Sequence, residues 1–202
     1  PPSQLVATLE GSHEFGSYGE DLYSHHLPTL GQRAVPILLE RLNAHTSEPE
    51  SRYQIGLIGK AFVNLALQEN VDLAAVLELL LNAPTKQRQS VAIAALTAAP
   101  EPRLLDRLWT IHQQRLDALD DKTDASRHGD YQASFAALRS GVERDPDWLR
   151  NRILAADSEN ERVSEIAYLL SGLEHADAPT IWTEVGDALM AKVSISKPRS
   201  LL

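Results

Sequence analysis

Apolar residues recur along this chain in steps of three and four. In YQIGLIGKAFVNLAL those steps carry Ile55, Ile58, Phe62 and Leu65. Such a run lies on one face of an α-helix. Leu105, Leu108, Trp109, His112, Leu116 and Leu119 make a second stripe, and Tyr131, Phe135, Leu138 and Val142 a third. Val163, Ile166, Ala167, Leu170 and Leu173 make a fourth, and Ile181, Trp182, Val185, Ala188 and Leu189 a fifth. No stretch alternates with period two, so no sheet is expected.

Start signals precede these stripes. Ser47-Glu48-Pro49-Glu50 and Ser158-Glu159-Asn160-Glu161 fit the capping box, in which a hydroxyl and a carboxylate satisfy two orphan amides reciprocally. Asp145-Pro146 and Asp177-Ala178-Pro179 read as an N-cap followed by a first-turn proline, whose missing N–H costs little there. Thr85 is expected to cap the helix after Pro84, and Asn70 or Asp72 to open the helix VDLAAVLELLLN. That helix is apolar nearly all round, through Val71, Leu73, Val76, Leu77, Leu79, Leu80 and Leu81. A helix of this kind is expected to pack on several sides.

The helices are spaced as a repeat. Second helices of successive pairs open near Val71, Pro102, Pro146 and Ala178, at intervals of 31, 44 and 32 residues. The longer interval holds the polar stretch DDKTDASRHGD at 120–130. Helix pairs at such a period signal an α-solenoid. QRQSVAIAALTAAPEPRLLDRL (87–108) and ERVSEIAYLLSGLEHADAPTIWTEVGDAL (161–189) resemble HEAT-type repeats of the short bacterial form. In that form an Arg opens an Ala/Leu-rich first helix, a turn with Asp or Pro follows, and a Leu/Val-rich second helix ends the unit. Arg88 to Leu96 and Arg162 to Leu170 keep the same spacing, and GQRAVPILLERL (31–42) looks like one more second helix with Pro36 in its first turn.

The resemblance implies an all-α, right-handed α-α superhelix (HEAT/armadillo-like solenoid) of about four helix pairs. Three regions are expected: an irregular capping segment over 1–30, the solenoid over 31–193 with a polar insertion at about 113–130, and a tail over 194–202. The first region and the insertion fit no repeat.

Composition narrows the chemistry. A hydrophobic fraction of 43% is enough for a core, and the 5% aromatic content suits close helix packing. The net charge of -9 repels a phosphate backbone at long range. The chain has no Cys, which excludes disulfides and thiolate metal sites. No apolar run approaches a membrane span, and no signal-peptide pattern opens the chain. A cytoplasmic protein is the expectation. The opening Pro1-Pro2, without Met, reads as a fragment or processed product.

Several clusters invite a site and are better read as structure. GSHEFGSYGEDLYSHH (11–26) holds His13, His25 and His26 with Glu14, Glu20 and Asp21. Zinc on a helix usually takes His at i and i+4. His25 and His26 are adjacent and point apart, so a capping segment built on Phe15, Tyr18, Leu22 and Tyr23 is preferred. Asp117, Asp120, Asp121, Asp124 and Asp130 lack the spacing and the Gly of a calcium loop, and read as a solvated loop. Gly56-Leu57-Ile58-Gly59-Lys60 lacks the spacing of a phosphate loop and lies inside a helical stripe. Close helix packing by small residues is the expectation there. His112 on its apolar stripe reads as a core histidine. Arg139, Arg144, Arg150 and Arg152 form a possible interaction patch for a phosphate or an acidic partner, although Asp145, Asp147 and Asp157 interrupt it.

No catalytic, cofactor or metal residue is assigned, and an enzyme is not expected. The leading expectation is a scaffold or regulatory arm that binds a protein partner, or flanking domains of its own chain, through the solenoid surface. The alternative is a HEAT-like protein that excises alkylated bases from DNA. It requires a contiguous basic strip, and the net charge disfavours nucleic acid. A chromophore lyase or chaperone, a third role the resemblance admits, has no pocket marked for it in the sequence.

Overall fold

Wherever a described residue carries one of these stripes the chain is helical, except at Leu119, which lies past the end of its helix. A computed structural model describes residues 20–45, 52–119 and 128–155, together with Leu169, Thr183 and Gly186. A π-helical turn, Leu22–His26, and a 3-10 turn, Pro28–Arg33, lead into α1 (Ala34–His45). Then follow α2 (Arg52–Ala66), α3 (Ala74–Leu81), α4 (Lys86–Ala98), a 3-10 turn at Pro102–Leu104, α5 (Leu105–Asp117), α6 (Gly129–Arg144) and α7 (Pro146–Ala155). Every regular element among the described residues is helical, and no helix among them is long and apolar enough to cross a membrane.

The helices pack as neighbours in a row. α2 packs on α4 and α4 on α6, while α1 lies against α2, α3 against α4 and α5, α5 against α6, and α7 against α6. One buried apolar cluster runs through all of them, from Tyr23 past Phe62, Leu96 and Trp109 to Ile153, and takes in Leu169. Among the described residues no helix pair has a separate core; the buried cluster is continuous from one end to the other.

Hydrogen bonds at the N-terminal end of the row share one register. Lys60 Nζ donates to the Glu20 carboxylate. Asn64 Nδ2 donates to the Ser24 carbonyl (2.7 Å), and Gln68 Nε2 to the Pro28 carbonyl (3.0 Å). Gln32 donates from Nε2 to the Asp72 carbonyl (3.2 Å) and accepts the Asp72 N–H at Oε1 (3.0 Å). Every pair is 40 residues apart, and successive pairs step by four on both sides. The segment 20–32 therefore runs parallel to 60–72, turn against turn. Of the 1–30 segment expected to be irregular, the described part is thus helical. It turns into α1 at Gly31, whose φ of 54° is open to glycine without strain.

Local signals fare unevenly. Asp145 Oδ1 accepts the Trp148 N–H (3.2 Å) with Pro146 in the first turn of α7, and Asp72 Oδ1 accepts the Ala74 N–H (3.0 Å) at the start of α3. Thr85 occupies the N-cap position of α4 with extended backbone, but its hydroxyl bonds none of the first-turn amides. The expectation for α3 is corrected. Leu77, Leu80 and Leu81 are buried, whereas Leu79 is 62% exposed. With eight residues packed mainly against α4 and α5, α3 leaves its Leu79 side exposed. The capping boxes at 47–50 and 158–161 and the fourth stripe lie outside the described residues, as does the fifth stripe.

Candidate functional site: a groove across α2 and α4

A groove of about 470 Å³ runs between the π-helical turn, α2 and α4. Its lining takes Gly56, Gly59 and Val63 from one side of α2 and Val91 and Ala94 from α4; Gly59 and Val91 are buried at the bottom, whereas Gly56 and Ala94 are exposed. The opposite side of α2 carries Ile58, Phe62 and Leu65 into the core, so the apolar stripe itself turns this face outward. The rim is polar: Arg52, Lys60 and Asn64 from α2, Ser24 from the turn and Ser90 from α4.

The two glycines play different parts. A β-carbon at Gly59 would sit 4.0 Å from Val91 Cγ2, an ordinary packing distance. A β-carbon at Gly56 would meet nothing within 4 Å. The expectation that close packing explains this pair is corrected at Gly56, where no neighbour demands the small residue. A glycine inside a helix costs about 0.5–1 kcal/mol relative to alanine. At Gly56 that cost yields open space in the groove.

Charge in the groove runs against the rest of the molecule. The chain has 28 acidic and 19 Lys and Arg residues, yet the described lining holds two cations and no carboxylate. Glu20 reaches the rim from the turn and pairs with Lys60. The hydrogen bond and charge of Lys60 hold the Glu20 carboxyl below its ordinary value, and those of Glu20 raise Lys60. Ser24 and Ser90 supply hydroxyls, but no His, Asp or Glu stands with them among the described lining residues to act as a base. The arrangement can hold an apolar group at the bottom and an anionic group at the rim.

The predicted arginine patch is differently arranged. Arg139 Nε donates to Glu143 (3.3 Å), and Arg150 pairs with Asp147 (2.8 Å). Arg144 is exposed at the end of α6. Arg152 is the most constrained. Its guanidinium lies 5.0 Å from the Trp109 ring centre and 5.4 Å from that of Trp148. Its Nη1 donates to Asp106 Oδ1 (3.1 Å), which also accepts the Trp148 indole N–H (3.0 Å). Three of the four arginines thus face carboxylates, and Arg152 clamps α7 onto α5 beside a depression of about 300 Å³.

His112 is fully buried among Trp109, Tyr131 and Phe135, with the Tyr131 ring 4.8 Å away. The Ser134 hydroxyl donates to the Tyr131 carbonyl (2.9 Å), which leaves its oxygen to accept from His112 Nδ1 (3.0 Å). Sequence reasoning missed Arg115, which is only 5% exposed. Its Nη1 donates to the Asp130 carbonyl (2.6 Å), and burial holds the guanidinium below its ordinary value against the pull of Asp130. His25 and His26 are exposed on the π-helical turn, and His13 and Glu14 lie outside the described residues, as do Asp120, Asp121 and Asp124. Asp117 is exposed, and Asp130 pairs with Lys86 (3.9 Å). Among the described residues no group of three metal-ligating side chains converges.

The groove itself went unread in the sequence. Its signal was a second glycine in a regular helical stripe, set one turn from two cations on the face away from the core. No protein-family model, curated protein or solved structure matches this chain.

Proposed function

We propose that this chain is a HEAT-like α-solenoid that serves as a protein-binding scaffold in the cytoplasm, and that the groove across α2 and α4 is its partner seat. The observation that carries the reading is Gly56, an exposed glycine within a helix that no packing contact requires, in the lining of a groove between two cations. Natural sequences break local rules mainly where function compensates. The fold side of the reading is supported by the hydrogen bonds 40 residues apart, which match the period of helix-pair repeats. They also bring the segment 20–33 into the array as the end of a preceding unit.

Binding to such a seat is mainly complementarity around a few anchors, and the seat is lost when a bulky residue fills it. The test is Gly56→Trp in the native full-length protein. The open space at Gly56 leaves the fold intact, so the melting temperature stays within a few degrees of wild type. Affinity capture followed by mass spectrometry is expected to lose a defined protein partner that the wild type retains. An identical set of retained proteins in both would refute the seat.

A further inference from the structure

We propose that the occupant of this groove is an acidic segment of the partner, bound in extended form, with small apolar side chains against Gly59, Val63 and Val91 and carboxylates at Arg52 and Lys60. This deepens the reading of the groove as a partner seat and rests on it.

Charge complementarity is the first argument. In a chain of net charge -9, the described lining has Arg52 and Lys60 and no carboxylate. Lys60 already holds a carboxylate, that of Glu20, so the rim displays the contact the partner would make. Both ends of that pair are more than half exposed, and exposed ion pairs contribute little. A partner carboxylate can therefore replace Glu20 with small loss.

Shape is the second argument. Arg52 to Asn64 extends about 18 Å along α2 at the helical rise. A volume of about 470 Å³ drawn out over that length makes a narrow channel. Roughly five residues of extended chain span the same distance. Buried Gly59 and Val91 form the bottom of the channel, and the missing side chain at exposed Gly56 leaves its mouth open. Ser24, Asn64 and Ser90 stand along the rim where the polar backbone of an extended segment needs partners.

A random peptide display library panned on the full chain tests this, with Gly56→Trp, Lys60→Glu and Glu20→Gln variants in parallel. Selected peptides are expected to be rich in Asp and Glu around a small apolar residue, and to be lost with Gly56→Trp. Lys60→Glu is expected to weaken a selected acidic peptide about tenfold or more. Glu20→Gln, which removes the internal competitor, is expected to tighten it, and added salt to weaken it. Lys60 is exposed, so its variant folds normally even should Gly56→Trp not. Peptides blocked by Gly56→Trp but without acidic bias would overturn this inference and leave the seat standing. Selection of no peptide sensitive to Gly56→Trp or Lys60→Glu would overturn both.

Discussion

Gly141 of α6 lies where a β-carbon would come 2.5 Å from Leu105 Cδ2 and 3.3 Å from its Cγ. Leu105 is fully buried, so its side chain would have to shift among other core residues to make room. Gly141→Ala is therefore expected to destabilise the fold by about 1–3 kcal/mol, the usual cost of overpacking. Gly56→Ala is expected to do the reverse and stabilise by about 0.5–1 kcal/mol, through helix propensity alone. Urea unfolding of the two variants reads both signs. Equal destabilisation would remove the distinction between a packing glycine and a groove glycine. At the same scale, Arg152→Lys keeps the charge at Asp106 but loses the planar stack between Trp109 and Trp148. A loss of about 0.5–2 kcal/mol is expected, with a red shift of tryptophan emission. No change in either would show that the clamp contributes nothing. The sequence did not mark Gly141, and it marked Arg152 as part of a patch, not as a clamp. Helical period gives the face a residue occupies, whereas these roles depend on what the next helix brings opposite.

Elements were more legible, because their signals are local. Proline and Asp at the start of α7 and the stripes of α2, α5 and α6 are properties of single turns, and they hold in the structure, except that Ile55 is half-buried at the groove and Leu119 lies past the end of α5. Leu79 shows the limit: apolarity along α3 says nothing of how many neighbours are present to cover it. The 3-10 turn Pro102–Leu104 gives an element a measurable pH response. Glu101 accepts from Arg103 Nε (2.8 Å), Arg103 Nη2 (3.0 Å) and, more weakly, the Arg103 amide (3.4 Å). The Arg103 side chain holds the Glu101 carboxyl below its ordinary value. A carboxylate depressed in this way contributes stability above its ordinary range, and that stability is lost as the pH falls through the folded value. Protection of the Leu104 amide, which bonds the Glu101 carbonyl, is expected to fall in strong acid and stay constant near neutrality. Glu101→Gln is expected to abolish the acid step. A step that persists in Glu101→Gln would assign it elsewhere. Between elements, the 40-residue register predicts that Cys pairs introduced at 24/64 or 32/72 react with a short thiol crosslinker. A pair at 24/72, offset by two further turns, is expected not to react. The absence of native Cys makes the comparison clean, and crosslinking at 24/72 instead would overturn the parallel register.

At the scale of the whole molecule, a row of helices among the described residues shares one continuous core, and a groove lined by two cations crosses α2 and α4 in a chain of net charge -9. The all-helical class was readable because no period-two pattern competes with the stripes. The groove was not readable, because it exists only once α2, α4 and the turn before α1 lie side by side. The register that sets them so is carried by polar residues such as Asn64 and Gln68, which a hydrophobic pattern ignores. The proposed role lives at this scale, since a scaffold needs a surface that several elements compose together. The most direct measurement is site-specific photo-crosslinking in the native full-length protein, with the photoreactive residue at Gly56 or, as control, at exposed Leu79. The account predicts a discrete adduct with another protein from Gly56, absent from Leu79 and abolished by Lys60→Glu. The same diffuse labelling from both positions, or none from Gly56, would contradict it.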